Sequence, residues 1–196
     1  MHQKNKGFTL VELLVVIGII GILASLAVAG VNIAREKAKI AVAKNDINEI
    51  YKAITILAND SGQWPGHQTV DVVCTDLPGG CPANNEFCGF DINSNSCNNG
   101  LDDEAAGIIA DHGGTPYSNW NGPYILEIPL DPWGREYFFD TDYEVKIANN
   151  NPCAGGVVGV DCKNVVVVGS YGPDGLGAPT GGAGAYGGDD IIRVIR

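Results

Sequence analysis

The sequence predicts an α+β fold in which a long N-terminal helix is laid against a small antiparallel sheet. Three observations predict it. Residues 13–31 are an uncharged, mostly apolar run close to the N-terminus. A helical spacing of apolar residues continues beyond that run to Leu57. Short β-type runs between turn residues fill the last third of the chain.

The chain of 196 residues suits one compact domain with an extended element attached. Its formal charge of -11 would repel a phosphate backbone, so no nucleic-acid partner is expected. All six cysteines, Cys74, Cys81, Cys88, Cys97, Cys153 and Cys162, follow the apolar block. An even count there fits an oxidising compartment and places the C-terminal part outside the cytoplasm.

Residues 1–7 carry Lys4 and Lys6, and the apolar run behind them is long enough to cross a bilayer. Basic residues before the span favour an N-terminus left inside, giving a single-pass membrane protein. A secretory signal peptide has the same basic start, but its apolar core is usually ~7–15 residues and a break follows it. Here the helical pattern goes on: Ile40, Ala43, Ile47, Ile50, Ile54 and Leu57 fall on one face. The expected organisation is a leader at 1–7, a membrane-spanning and assembly helix at 8–31, an amphipathic continuation at 32–60 and a head at 61–196. A helix over 8–59 would be about 78 Å long at the usual rise. Ser61-Gly62 and Trp64-Pro65 end it, because glycine suits a helix C-terminus and proline bars continuation.

Glu12 is a carboxylate at the membrane end of this helix, where burial without a partner is costly. No basic side chain lies within one turn of it. Two readings stand: a partner supplied from outside the helix, or a wet position favoured by the helix N-terminal dipole.

Lys6-Gly7-Phe8-Thr9-Leu10-Val11-Glu12-Leu13-Leu14 resembles the class III signal of type IV pilins and of the pseudopilins of type II secretion. The resemblance implies cleavage by a prepilin peptidase between Gly7 and Phe8, and methylation of the new N-terminal amine on Phe8. It also implies that Glu12 pairs with that amine on a neighbouring subunit during assembly. Such a cation does not exist before cleavage, so the acid would be satisfied only after processing.

Between residues 62 and 122, Gly, Asn, Asp, Pro and Cys dominate, which reads as a loop-rich, stapled insertion with a short helix near 104–110. Pairing in sequence order, Cys74 with Cys81, Cys88 with Cys97 and Cys153 with Cys162, is one of the fifteen connectivities that six cysteines allow. A zinc site is the alternative, although no tight C-x₂-C pair has a matching second pair. Asp91-x-Asn93-x-Asn95 with Asp102 has some of the oxygen spacing of a calcium loop, but Ser96 stands where its glycine belongs. Five strands are expected, over residues 124–128, 136–139, 143–147, 165–168 and 191–195, with one face on the helix stripe.

A second resemblance covers roughly the last third. Asp131-Pro132-Trp133-Gly134-Arg135-Glu136-Tyr137, then Ser170-Tyr171-Gly172-Pro173-Asp174-Gly175 and Asp189-Asp190-Ile191, is similar to the major pseudopilin of type II secretion. That family's final loop binds calcium, which the resemblance maps onto Asp174, Asp189 and Asp190, with Ser170 and Tyr171 as further oxygen donors. Hard oxygen ligands in a flexible loop suit calcium. An acidic loop without an ion is the alternative. Gly182-Ala-Gly184-Ala-Tyr-Gly187 matches a dinucleotide pattern but lacks the flanking strand and helix that give the pattern meaning. Two features depart from the family: the cysteine-bearing insertion, and Arg193-Val-Ile-Arg196 in place of an aromatic ending.

The resemblance implies a structural subunit, not an enzyme: a periplasmic pseudopilus component that drives protein export. Its expected partners are prepilin peptidase, copies of itself, minor pseudopilins and an inner-membrane assembly platform. A type IV pilin on a surface filament is the alternative within the class, and a membrane-anchored calcium-dependent binding module the alternative outside it. His2, His67 and His112 show no local nucleophile or metal-ligand pattern.

Overall fold

The structure, a computed structural model, describes residues 8–70, 72–73, 86–87, 99–153, 159–175 and 189–196. Helix α1 spans Leu10–Ser61, and Gly62 follows it with φ 72°, the left-handed conformation that stops a helix without a Cβ clash. The chain forms two compact units, one up to Lys39 and one from Ile40 to Arg196. In the first, Phe8, Leu10, Leu13, Leu14, Ile17, Ile20 and Leu23 are all exposed, and the helix is long and apolar enough to cross a membrane.

In the second unit the stripe is the spine of the core. Ala43, Ile47, Ile50, Ile54 and Leu57 are buried, and Ile40 packs at their edge. Their spacing of three and four keeps them on one face, and each large aliphatic stabilises the fold by roughly 1.5–3 kcal/mol when withdrawn from water. They meet Trp64, Phe87, Leu101, Ile108, Tyr117, Tyr137, Phe139, Val166, Val168 and Ile191. Polar ties fix the helix against this layer: Tyr137 donates to Asp46 Oδ2 at 2.8 Å, and Tyr124 to Asp60 Oδ2 at 3.1 Å. Arg193 lies over the Tyr51 ring, 3.8 Å from its centroid, and donates to Asn48. The basic C-terminal ending therefore holds the helix by a cation–π contact.

Strands β1 (Gln63–Trp64) and β2 (Gln68–Thr69) form a small hairpin after the helix. The main sheet is antiparallel, in the order β3 (Glu86–Phe87), β4 (Phe138–Lys146), β5 (Cys162–Ser170), β6 (Ile191–Val194). The insertion thus supplies an edge strand, with Phe87 opposite Phe139 and buried in the main core. The expected helix near 104–110 is a single 3₁₀ turn at Glu104–Ala106, capped by the Asp103 carboxylate, which accepts from Ala105 N–H.

Two expectations about the sheet are corrected. Residues 136–139 and 143–147 are not two strands: β4 is continuous, and Asp140-Thr141-Asp142 forms a bulge where the register shifts. The Asp140 carboxylate accepts from Asp142 N–H at 2.7 Å, so the residues that spell a turn also stabilise a bulge. Residues 124–128 form no strand. Both Tyr124 and Ile125 direct their N–H groups to the carbonyl of Ile108, and Pro123 and Pro129 bracket the segment, leaving no ladder to extend. One face packs on the helix stripe, as expected, and the other face is apolar as well. Phe138, Tyr143, Val145, Val165 and Val167 form a second buried cluster opposite the helix.

Candidate functional site

At the N-terminal end Thr9 and Glu12 form a reciprocal cap. The Thr9 N–H donates to Glu12 Oε2 at 2.8 Å, the Thr9 hydroxyl donates to the same oxygen at 2.7 Å, and the Glu12 N–H donates to Thr9 Oγ1 at 3.3 Å. This is a capping box, which satisfies helix N–H groups that have no partner inside the helix. The spacing Thr-x-x-Glu was visible in the sequence and is the signal that was missed. In a single subunit Glu12 is thus held by its own helix start. Gly7 lies outside the described residues, and Phe8 is 88% exposed.

In the second unit, the Asp131–Arg135 segment is built around one buried carboxylate. Asp131 Oδ1 accepts from the N–H groups of Trp133 at 3.0 Å and Arg135 at 2.8 Å, and Gly134 N–H returns to the Asp131 carbonyl at 2.8 Å. Gly134 has φ 86°, which a side chain would oppose. Asp131 Oδ2 accepts from the Ser170 hydroxyl at 2.6 Å, and Ser170 Oγ in turn accepts from Gly172 N–H at 3.1 Å. The Arg135 guanidinium donates to the Gly172 carbonyl at 2.6 Å. A turn at one place in the chain therefore fixes the entry of the acidic loop at another.

That loop brings the predicted carboxylates together. One oxygen from each of Asp174, Asp189 and Asp190 lies within 4.8 Å of the others. Asp174 is exposed, Asp189 half-buried and Asp190 buried. Asp189 Oδ2 accepts from Asp174 N–H at 3.0 Å, and Asp190 Oδ2 accepts from the Tyr143 hydroxyl at 2.6 Å. Gly172 has φ 63°, and a Cβ there would collide with the Asp189 carbonyl. Three carboxylates form a hard, all-oxygen donor set, which fits calcium and not a nitrogen- or sulfur-preferring ion. The Ser170 hydroxyl is engaged by Asp131, and the Tyr171 ring stacks on Phe138 with centroids 4.5 Å apart.

Cys153 and Cys162 form a disulfide with Cα atoms 6.1 Å apart, as sequence order predicted. It ties the middle of the connection between β4 and β5 to the first residue of β5. Cys74, Cys81, Cys88 and Cys97 lie outside the described residues, as does the 91–96 segment and the 182–187 glycine pattern.

In the sequence His67 and His112 show no local metal-ligand pattern. The structure brings them together, with His67 Nε2 and His112 Nδ1 at 3.1 Å and the His67 ring stacked on Tyr117 at 3.9 Å. Burial pushes the Tyr117 phenol up to about 12. Burial and then the nearby His112 hold His67 below the usual imidazole range.

Comparison with known proteins matches two stretches of the chain. Residues 2–28 match the prokaryotic N-terminal methylation motif, and residues 101–149 match type II secretion system protein G. The type II secretion system core protein G of Pseudomonas aeruginosa is 30% identical over 137 residues, covering 69% of this chain and 73% of that one. The Aeromonas hydrophila protein of the same name is 28% identical over 135 residues, covering 69% and 72%. A fimbrial protein of Neisseria meningitidis is 36% identical, but over only 38% of this chain and 44% of its own. No solved structure matches at the same stringency. The processing motif, the Asp131 turn and the similarity across two thirds of the chain agree: this protein belongs to the type II secretion system core protein G family.

Proposed function

We propose that the chain is the major structural subunit of a periplasmic pseudopilus that drives export by type II secretion. It is cut between Gly7 and Phe8, methylated on Phe8, and drawn from the inner membrane into a filament by α1, with its head in the periplasm. Prepilin peptidase, other copies of the chain, minor pseudopilins and the inner-membrane platform are its partners. The observation that carries this reading is that the N-terminal methylation motif and the protein G region sit on one chain, similar to core protein G over 69% of its length.

The division of labour follows from the physics of the parts. Exposed apolar side chains along the first unit suit lipid before assembly and neighbouring helices after it. The buried stripe ties the second unit to the same helix, so subunits joined through their helices carry their heads with them. A carboxylate satisfied by a local cap can exchange that partner for a cation in trans once the cation has been made.

The acidic loop holds calcium in this reading, through Asp174, Asp189 and Asp190. A bound divalent cation supplies charge that offsets the mutual repulsion of the three carboxylates. The Asp131–Ser170 hydrogen bond and Arg135 hold the loop's first residues in place.

The test is complementation. The chain is produced in a type II secretion strain lacking its own core protein G, and exoprotein in the medium and the mass of the mature N-terminus are measured. Restored secretion with a methylated Phe8 supports the reading. Efficient processing with surface fibres and no secretion would favour a type IV pilin instead.

A further inference from the structure

His67 and His112 come from segments 45 residues apart, the hairpin that follows α1 and the loop before Tyr117. Their facing nitrogens are 3.1 Å apart. With metal–nitrogen bonds of ~2.0–2.1 Å, two imidazoles on a tetrahedral ion stand about 3.3 Å apart, and on a square-planar ion about 2.9 Å. The observed separation lies between the two. It also serves an N–H···N hydrogen bond, which is the metal-free state of the pair.

The surroundings prepare these nitrogens for a cation. His67 Nδ1 lies 3.1 Å from Gln63 Oε1, and in the tautomer with its proton on Nδ1 the Nε2 lone pair faces His112. His112 Nδ1 lies 2.9 Å from the Thr115 hydroxyl, whose oxygen can accept from the Nδ1 proton or face an ion bound there. The carboxylate of Asp111 accepts from Tyr117 N–H at 2.9 Å and places negative charge close to His67. Both rings are half-buried, so an ion can reach them.

The backbone of His67 adds an independent sign. It has φ 60°, uncommon for a residue with a side chain, directly after Gly66 at φ 71°. The Tyr117 hydroxyl accepts from both Gly66 N–H at 2.8 Å and His67 N–H at 3.3 Å, and donates to the Ala105 carbonyl at 2.8 Å. A buried tyrosine thus holds the strained residue, with its ring flat against the imidazole. Strain maintained by such surroundings is typical of ligand-holding positions.

The geometry points to a binding site for a divalent transition-metal ion that prefers imidazole, zinc above all, held by Nε2 of His67 and Nδ1 of His112. The remaining coordination positions belong to water. On binding, the proton between the rings moves to Nε2 of His112, so a neutral pair changes tautomer without net proton loss. The ion would fasten the hairpin that follows α1 to the loop before Tyr117. This site is separate from the acidic loop in both residues and chemistry, nitrogen donors here against carboxylates there.

The test uses the mature chain, from Phe8 onward so that His2 is absent, in detergent and non-reduced, stripped of metal and supplied with excess calcium. Zinc is then titrated calorimetrically, and the histidine ring nitrogens are followed by NMR. One equivalent of zinc should bind, with the ring signals of His67 and His112 shifting together. His67→Gln and His112→Gln should each weaken binding by at least ~100-fold, and Gln63→Leu by about 10-fold. The absence of zinc binding to the unaltered chain would overturn the site. So would unchanged affinity in either histidine variant, or zinc shifts confined to residues of the acidic loop. The NMR reading needs no substitution, so a variant that fails to fold does not decide the question.

Discussion

The Ser170 hydroxyl donates to Asp131 Oδ2 at 2.6 Å, with both residues buried and 39 positions apart in the chain. Asp131 also caps its own turn through two N–H groups, so one carboxylate makes three contacts. Asp131→Ala would leave two backbone donors and a hydroxyl without this acceptor, at roughly 3 kcal/mol given ~1.5–3 for a hydrogen bond to a charged group and partial relaxation. Ser170→Ala removes only one of the three and should cost about 1 kcal/mol. Urea unfolding of the purified protein measures both. Equal losses for the two variants would show that the turn does not depend on the carboxylate.

The Thr9–Glu12 cap separates two roles of the same side chain. Glutamine at this position can still accept from Thr9 N–H, because the capping box tolerates Glu or Gln, but it carries no charge. Glu12→Gln should therefore leave helix content and cleavage after Gly7 unchanged while abolishing filament assembly as fully as Glu12→Ala does. Immunoblots for processing, with electron microscopy for filaments, measure the two separately. Normal filaments from Glu12→Gln would mean that the cap, and not an ion pair between subunits, is what Glu12 contributes.

Glu136 gives a pH dependence. Burial, and then the charge of Asp102, raise its pKa above the ordinary value of 4.5. An acid raised on folding is stabilising relative to the unfolded chain only while protonated in both states, and that advantage is lost as pH rises from 4.5 through the folded value. Glu136→Gln should therefore raise the urea midpoint at pH 7, modestly because the group is largely solvated, and the gain should vanish below pH 4.5. A gain that persists into acid would assign the effect to packing beside Gly100, where an added Cβ would meet the Glu136 carboxylate.

What the sequence revealed and what it hid divide by distance along the chain. Ile47, Ile50, Ile54 and Leu57 announce a helix face because their period is local, and the run Val165–Val168 announces a strand. That same unbroken run, with no polar alternation, was also a sign that both sheet faces are covered, as Val166 in one cluster and Val167 in the other show. Asp140-Thr141-Asp142 misled because turns and bulges favour the same residues. The motif at Asp131 could be recognised, but its partner Ser170 could not be derived from spacing. His67 and His112 were hidden for the same reason, each sitting in a loop with nothing nearby to mark it.

The acidic loop makes the most discriminating prediction, because its three carboxylates stand in different surroundings. Asp174 is exposed, and its own carboxylate is one of three crowded together, so without calcium Asp174→Asn relieves repulsion and should leave stability unchanged or slightly raised. Asp190 is buried and accepts from Tyr143 at 2.6 Å, beside the second apolar cluster, so Asp190→Asn should lower stability with or without calcium, by about 1–2 kcal/mol. Both variants should lose most of the rise in melting temperature that calcium gives the unaltered protein, since each removes a negative charge from a small ligand set and leaves only a neutral amide oxygen. Thermal melts with calcium and with chelator, run on all three proteins, measure the four differences. A calcium-dependent rise that survives at full size in Asp174→Asn would remove the Asp174 carboxylate from the ligand set. No rise in the unaltered protein would leave the cluster as a solvated acidic loop, held in shape by Asp131, Arg135 and Tyr143 alone.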